Sequence, residues 1–167
     1  MARTLLIGVT AGVVRQVGHR GSSSNDSRGG PAFQETMKLA LIGFGQAGGK
    51  IVDAFVEYEQ QTGADIFRKP IAVNTATADL EGLDHVPRER RVLIGQSRVK
   101  GHGVGADNEL GAEIAEADLD EVQGALDEVP VHEVDAFLVV AGLGGGTGSG
   151  GAPVLAKHLK RIYTEPV

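Results

Sequence analysis

The chain has 167 residues, about the length of one domain, and its 41% hydrophobic and 23% charged residues are ordinary values for a globular protein. It contains no cysteine, which excludes disulfides and thiolate metal sites and favours an intracellular setting, and its net charge of −6 argues against nucleic-acid binding. No apolar run approaches the roughly 20 residues that a membrane-spanning helix needs, so we expect no membrane insertion.

The first 36 residues lack the pattern of a folded element. Residues 5–14 are apolar, but Arg15 ends the run and no small-residue cleavage site follows, which argues against a signal peptide. Residues 18–36 are polar and rich in glycine and serine, a composition typical of disorder. We therefore expect residues 1–36 to be a disordered extension, with either Met1 or Met37 as the start of translation.

From Met37 onward, apolar runs alternate with amphipathic segments. Short apolar runs predict buried strands at residues 38–43, 70–74, 91–95 and 134–141. Helical spacing predicts three helices, through Ala47, Ile51, Phe55 and Tyr58, through Leu119, Val122, Leu126 and Val129, and through Leu155, Leu159 and Ile162. Residues 165–167 resemble the approach to a further strand. The alternation predicts an α/β fold, a doubly wound parallel sheet of Rossmann-like type that continues beyond Val167.

A glycine-rich segment, residues 142–151 (GLGGGTGSGG), has glycine at seven of ten positions. It lies between the last predicted strand and a helix that we expect to begin near Gly150. Ligands bind at such strand-to-helix turns in open α/β sheets, and consecutive glycine N–H groups beside a helix N-terminus favour an anion. We interpret this segment as a phosphate-binding loop and not as a linker, with Thr147 and Ser149 adding hydroxyl groups.

A second glycine cluster, residues 43–50 (GFGQAGGK), follows the first strand. It fits the dinucleotide-binding pattern G-x-G-x-x-G, a weak signal by itself, but no ribose-binding acid follows the second strand before Asp79. Lys50 also lacks the following Ser or Thr of a P-loop. A third loop, residues 100–111 (KGHGVGADNELG), leads into a helix that we expect Asn108 to cap. Three such loops at one sheet edge predict a ligand with several phosphates, and His102 is either a further phosphate contact or solvated.

The loops together resemble a known family. GGGTGSG at residues 144–150 is similar to the signature of tubulins and FtsZ, and the order of GFGQAGGK, VNTA, KGHGVGADNELG and GLGGGTGSGGAPV is similar to that of FtsZ-like proteins. In detail, IGQSRVKGHGVGADNELG at residues 94–111 most closely resembles CetZ, the tubulin-like group of salt-loving archaea. The resemblance covers residues 37–167.

The resemblance implies a cytoplasmic, GTP-binding cytoskeletal protein, a GTPase that polymerises head to tail with copies of itself and controls cell shape. We expect Mg²⁺ with the GTP, because a triphosphate needs a hard cation, although no protein ligand for the metal is evident. The matching motifs imply nucleotide-binding residues in four segments: Gln46, Ala47, Gly48, Gly49 and Lys50; Asn74 and Thr75; Gly105, Ala106, Asp107 and Asn108; and Gly144, Gly145, Gly146, Thr147 and Gly148.

The same resemblance implies that other parts of the family's machinery follow the matched segment. FtsZ-like proteins bind guanine and ribose through later residues, and an acidic loop that completes hydrolysis in a neighbouring subunit comes later still. We therefore assign no catalytic residue and no metal ligand. Residues 37–167 are expected to form an incomplete N-terminal GTP-binding domain that lacks hydrolysis by itself.

Two other functions remain open from the sequence. An NAD-type dinucleotide-binding Rossmann oxidoreductase rests only on residues 43–48 and leaves GGGTGSG unexplained. The second alternative is a non-catalytic fragment that caps filaments through a single interface.

Overall fold

The computed structural model describes residues 36–167. Its strands form one parallel sheet in the order β3-β2-β1-β4, with bounds β1 (Leu39–Phe44), β2 (Phe67–Asn74), β3 (Arg91–Leu93) and β4 (Ala136–Ala141). The α-helices of this range are α1 (Gly45–Thr62), α2 (Thr77–Glu81), α3 (Gln96–Val99), α4 (Asn108–Ala117), α5 (Leu119–Leu126) and α6 (Gly146–Ile162). The predicted parallel α/β architecture is confirmed.

Helices cover both faces of the sheet, because alternate residues of each strand point to opposite sides. On one face, Ile42, Phe44 and Val73 are buried in a cluster with side chains of α4, α5 and α6, namely Ile114, Ala115, Val122, Leu126, Leu155 and Leu159. On the other face, Leu41 and Ala72 are buried in a cluster with Val52, Val56, Leu80, Leu83 and Val86. Burial on two faces explains why β1 and residues 70–73 of β2 are continuously apolar.

Helix α1 is confirmed, but its buried face differs from the predicted stripe. Ile51 and Tyr58 are 39% and 52% exposed, whereas Gly48, Val52 and Val56 are buried. A Cβ built on Gly48 would collide with the carbonyl oxygen of Val140. This glycine lets the backbone of α1 approach the sheet closely. The face of α1 that contains Gly48, Val52 and Val56 is therefore buried, and Ile51 and Tyr58 lie on the exposed side.

The strand bounds shift by a few residues for local reasons. β2 begins three residues earlier than predicted, and its pairing with β1 moves from Ala40↔Arg68 to Ile42↔Ile71, which leaves one extra residue in β2. That bulge contains Lys69, whose φ of 44° is in the left-handed region, directly before Pro70. Proline cannot donate to the ladder, and a bulge is one of the few places where a strand tolerates it.

Residues 165–167, predicted as the approach to a further strand, lie beside β4, where the Pro166 carbonyl accepts a 2.8 Å hydrogen bond from the Phe137 N–H. They form no strand within the described residues. The prediction for residues 1–36 lies outside the described residues, apart from Thr36. Within residues 36–167, no helix is both long and apolar enough to cross a membrane.

Candidate phosphate-binding site

Helices α1 and α6 begin side by side at the carboxyl edge of the sheet. Their preceding strands, β1 and β4, are neighbours, and the sheet reverses its winding between them, the position where open α/β sheets bind ligands. Gly45, the first residue of α1, has a φ of 76°, and a Cβ built on it would lie 2.7 Å from the backbone nitrogen of Gly148. Only glycine at this position allows the two helix starts to approach so closely.

Neither of these two helix starts has a side-chain cap or an acidic residue of its own first turn within the described residues. Phe44 and Gly145 precede α1 and α6 with extended backbone and provide no side-chain cap, and neither first turn contains an acidic residue. The first N–H groups of a helix lack intrahelical partners and carry a partial positive charge. Helices of 18 and 17 residues therefore direct two uncapped N-termini to one place, which favours an anion.

The start of α6 corrects the sequence-based prediction. The helix begins at Gly146, not near Gly150, so Gly146, Thr147 and Gly148 are buried in its first turn. Glycine disfavours helix, but close packing against α4 outweighs that preference here. A Cβ on Gly146 would lie 2.5 Å from the carbonyl oxygen of Asp107, and a Cβ on Gly150 would overlap the backbone of Asn108.

Most glycines among the predicted nucleotide-binding residues fall into two groups. Gly48, Gly146 and Gly148 are buried, and any side chain there would overlap neighbouring backbone. Around Gly144 and Gly145, no atom of the described residues lies within 4 Å of a built Cβ, and both residues are exposed. Since protein packing does not require glycine at these two positions, their exposed backbone is the part of the loop that a ligand can approach.

Residues 100–107, the part of the third loop that precedes α4, are joined to the end of β2 by backbone hydrogen bonds. The Thr77 N–H donates to the Gly101 carbonyl at 2.9 Å, and the Gly103 N–H donates to the Thr75 carbonyl at 3.1 Å. Exposed His102 forms an isolated antiparallel bridge with Ala76. The loop is thereby held next to the β2 end of the same sheet edge.

The same loop continues to the start of α6. Gly105 and Ala106 are exposed, and the Gly105 carbonyl accepts a 2.9 Å hydrogen bond from the Gly146 N–H. The predicted cap of the following helix is wrong by one residue: the Asp107 carboxylate accepts from the Leu110 N–H at 2.9 Å, and Asn108 is the first helical residue. α4 therefore begins with its own carboxylate cap, unlike α1 and α6.

Asn74 and Thr75 are buried and organise the end of β2. Asn74 Oδ1 accepts hydrogen bonds from the backbone N–H groups of Thr75 and Ala76, at 2.8 and 3.2 Å. The Thr75 hydroxyl contacts the Thr147 hydroxyl. The side chains of Asn74 and Thr75 thus hydrogen-bond to neighbouring protein groups and hold the turn after β2 in place.

The remaining predicted residues lie in the first turns of α1. Gln46, Ala47 and Lys50 are exposed, and Gly49 is buried. The structure adds Asp79, whose carboxylate accepts hydrogen bonds from Gln46 and Asn74. Among residues 36–167, no cluster of three or more His, Asp or Glu side chains is arranged to hold a metal ion.

Comparisons with known proteins agree with this geometry. The sequence model described as the Tubulin/FtsZ family, GTPase domain, matches residues 38–167. The tubulin-like protein CetZ1 of Haloferax volcanii is 79% identical over 131 residues, which are 78% of this chain and 33% of the relative. The chain thus spans about a third of the length of the curated relatives it matches.

Two solved structures have the same fold. A GDP-bound monomer of CetZ1 from Haloferax volcanii superposes with a TM-score of 0.77 at 79% identity, covering 78% of this chain and 40% of that one. A GTPγS-bound protofilament of CetZ2 from the same organism gives a TM-score of 0.74 at 55% identity, covering 78% of this chain and 38% of that one.

Proposed function

Because the chain belongs to the tubulin/FtsZ family by its GTPase domain, we propose that it binds the phosphates of GTP between the starts of α1 and α6. The observation that carries this proposal is the pair of adjacent, uncapped helix N-termini at the switch point of the sheet. The guanine nucleotides in the solved CetZ1 and CetZ2 structures support it.

In this proposal, the site residues have distinct roles. The backbone of Gly144, Gly145 and Gly105 approaches the phosphates, because these glycines are exposed and no atom of residues 36–167 lies within 4 Å of a Cβ built on them. Exposed residues of the remaining segments complete the cradle, namely Gln46, Ala47, Lys50, Ala106, Asp107 and Asn108. The buried members hold these segments in place, namely Gly48, Gly49, Asn74, Thr75, Gly146, Thr147 and Gly148.

Mg²⁺ fits this site as a companion of the nucleotide. The ion keeps several waters and commonly uses one or two carboxylates together with substrate phosphates, and it would neutralise charge on the triphosphate. Asp107 is the carboxylate of the site segments, Asp79 hydrogen-bonds to two of them, and neither belongs to a cluster that would hold a metal without phosphates. The donor set of residues 36–167 therefore suits an ion held mainly by the ligand.

We further propose that the protein is a cytoplasmic GTPase that assembles head to tail into filaments and acts in cell shape, as the likeness to CetZ implies. The protofilament form of CetZ2 supports the assembly step. Residues 37–167 would form the N-terminal portion of its GTP-binding domain, and residues 1–36 an extension outside it. Family membership favours this function over an NAD-dependent oxidoreductase, and no observation favours a filament-capping fragment.

Assembly is tested by sedimentation and electron microscopy of the protein purified as its cells make it. We expect filaments in the pellet with GTP and Mg²⁺, and protein in the supernatant without nucleotide. Gly145→Ala should reduce the pelleted fraction, while Gly124→Ala on α5, where a built Cβ meets nothing of the described chain within 4 Å, serves as the matched control. Equal pelleting with and without nucleotide would contradict the proposal.

A further inference from the structure

The Asp79 carboxylate joins two segments of the proposed nucleotide site. One oxygen, Oδ1, accepts a hydrogen bond from Gln46 Nε2 at 2.8 Å, and the other, Oδ2, accepts from Asn74 Nδ2 at 3.1 Å. Gln46 lies in the first turn of α1, and Asn74 ends β2. A single side chain of α2 thus connects the turn after β1 with the turn after β2.

The chemistry of a carboxylate fixes the orientation of both amides. An ionised carboxylate accepts hydrogen bonds and donates none, so Gln46 and Asn74 must each turn their NH₂ group toward Asp79. The Asn74 oxygen then faces the backbone N–H groups of Thr75 and Ala76, where it accepts two bonds. The Gln46 oxygen is directed away from Asp79, on an exposed side chain at the start of α1.

The two partners differ in what they need from Asp79. Asn74 is 3% exposed, so losing its acceptor would leave a buried amide N–H group without a partner, which is costly. Gln46 is exposed, and its bond to Asp79 restricts a side chain that water would otherwise leave free to rotate. Ordering a flexible side chain before the ligand arrives lowers the entropy lost on binding.

We propose that Asp79 is a positioning residue of the nucleotide site, which sets the amide orientation of Gln46 and Asn74 and so prearranges the start of α1 for the phosphates. This inference rests on the proposed function. Asp79 acts through its two partners, and its carboxylate is not assigned a contact with the nucleotide.

The substitution Asp79→Asn tests the acceptor-only requirement with almost no change in shape. Asparagine offers one oxygen and one NH₂ group, so one of the two partners faces a donor instead of an acceptor. Glu81→Gln is the matched control, because Glu81 belongs to the same short helix, is exposed and undergoes the same change of charge. We expect Asp79→Asn to weaken GTP binding about tenfold and Glu81→Gln to leave it unchanged within about twofold.

A double-mutant cycle with Gln46→Ala separates positioning from a general loss of structure. If Asp79 acts through Gln46, Asp79→Asn should cost about threefold or less in affinity when Gln46 is already truncated. A full tenfold loss in that background would overturn positioning through Gln46. Side-chain amide signals in ¹H–¹⁵N spectra of the nucleotide-free protein provide a second readout: those of Gln46 and Asn74 should shift in Asp79→Asn but not in Glu81→Gln.

The outcomes distinguish the two levels of the proposal. Wild-type protein that binds no GTP would overturn the proposed function, and with it the role given to Asp79. Wild-type binding with equal affinity for Asp79→Asn, or amide signals unchanged by that substitution, would overturn only the role of Asp79.

Discussion

The side-chain oxygens of Thr75 and Thr147 lie 2.7 Å apart, in a hydrogen bond that joins the end of β2 to the first turn of α6. Both residues are buried, with 0% and 7% exposure. The bond spans 72 positions of sequence and fixes the turn after β2 relative to the uncapped start of α6. Two segments of the proposed phosphate site therefore share one buried polar contact.

Removing one hydroxyl of this pair should destabilise the protein, because the other hydroxyl stays buried without its partner. Thr147→Val leaves the Thr75 hydroxyl buried without that partner, so we expect the free energy of unfolding to fall by about 1–3 kcal/mol. The double variant Thr75→Val/Thr147→Val should lose less free energy of unfolding than the two single losses added together, by about 1 kcal/mol. Urea unfolding of the four proteins measures this coupling, and strictly additive losses would show that the bond contributes nothing.

Gly150 and Gly124 should respond in opposite ways to alanine, although both lie within helices. A Cβ on Gly150 would overlap the backbone of Asn108, so Gly150→Ala must separate α6 from α4 and should cost about 1–3 kcal/mol. Apart from its own helix, no atom in the described part of the chain lies within 4 Å of a Cβ on Gly124, so Gly124→Ala should raise stability by about 0.5–1 kcal/mol through helix propensity. Thermal unfolding compares the two, and equal shifts would contradict the proposed close packing of α4 and α6.

Gly145→Ala should impair nucleotide binding without unfolding the protein. Gly145 has an extended backbone with φ −105° and ψ 154°, which alanine adopts easily, and the space beside it is open. We expect a change in stability within about 0.5 kcal/mol, together with at least a roughly tenfold loss of GTP affinity, because the methyl group would occupy space needed by a phosphate. Unchanged affinity would mean that the ligand does not approach this part of the backbone.

The Asp53 carboxylate should make the free energy of unfolding fall as the solution becomes acidic. Burial raises the pKa of Asp53, but hydrogen bonds from the backbone N–H groups of Val86, His85 and Asp84 outweigh burial and hold this pKa below its ordinary value. A carboxyl with a lowered folded-state pKa stabilises the protein above its unfolded pKa, about 3.9, and this contribution is lost as the pH falls through the folded pKa.

The matching experiment compares the wild type with Asp53→Asn from pH 7 to pH 3. Asparagine presents an NH₂ group to one or more of the three backbone donors, so the variant should be less stable at pH 7. The difference in the free energy of unfolding should shrink as the pH falls below about 4, because the wild-type carboxyl becomes protonated. A difference that stays constant with pH would show that the charge of Asp53 does not contribute.

The parts of the fold that depend on local patterns were predictable from the sequence. The apolar runs gave the strands of the parallel sheet, and the glycine clusters marked the turns at its carboxyl edge. The start of α6 was not predictable in the same way. Glycine argues locally for a loop, whereas packing of Gly146 and Gly150 against α4, nearly 40 residues earlier, makes that segment helical.

The roles of individual site residues were also beyond local reasoning. Whether a glycine serves packing or ligand approach depends on what lies opposite its missing Cβ, and that distinguishes Gly146 from Gly145 only in three dimensions. Asp79 lies 33 positions from Gln46, so no sequence spacing indicates their contact. The cap at Asp107 was missed because aspartate and asparagine are both good N-caps, and Asn108 follows it directly.

The most direct test of the nucleotide site is competition between GTP, ATP and NAD for binding to the protein purified as its cells make it. Displacement of a fluorescent GTP analogue can be followed by polarisation in the presence of Mg²⁺. We expect GTP to compete best, ATP more weakly and NAD least. Preference for NAD, or no binding of any of the three, would contradict a tubulin/FtsZ-type phosphate site between α1 and α6.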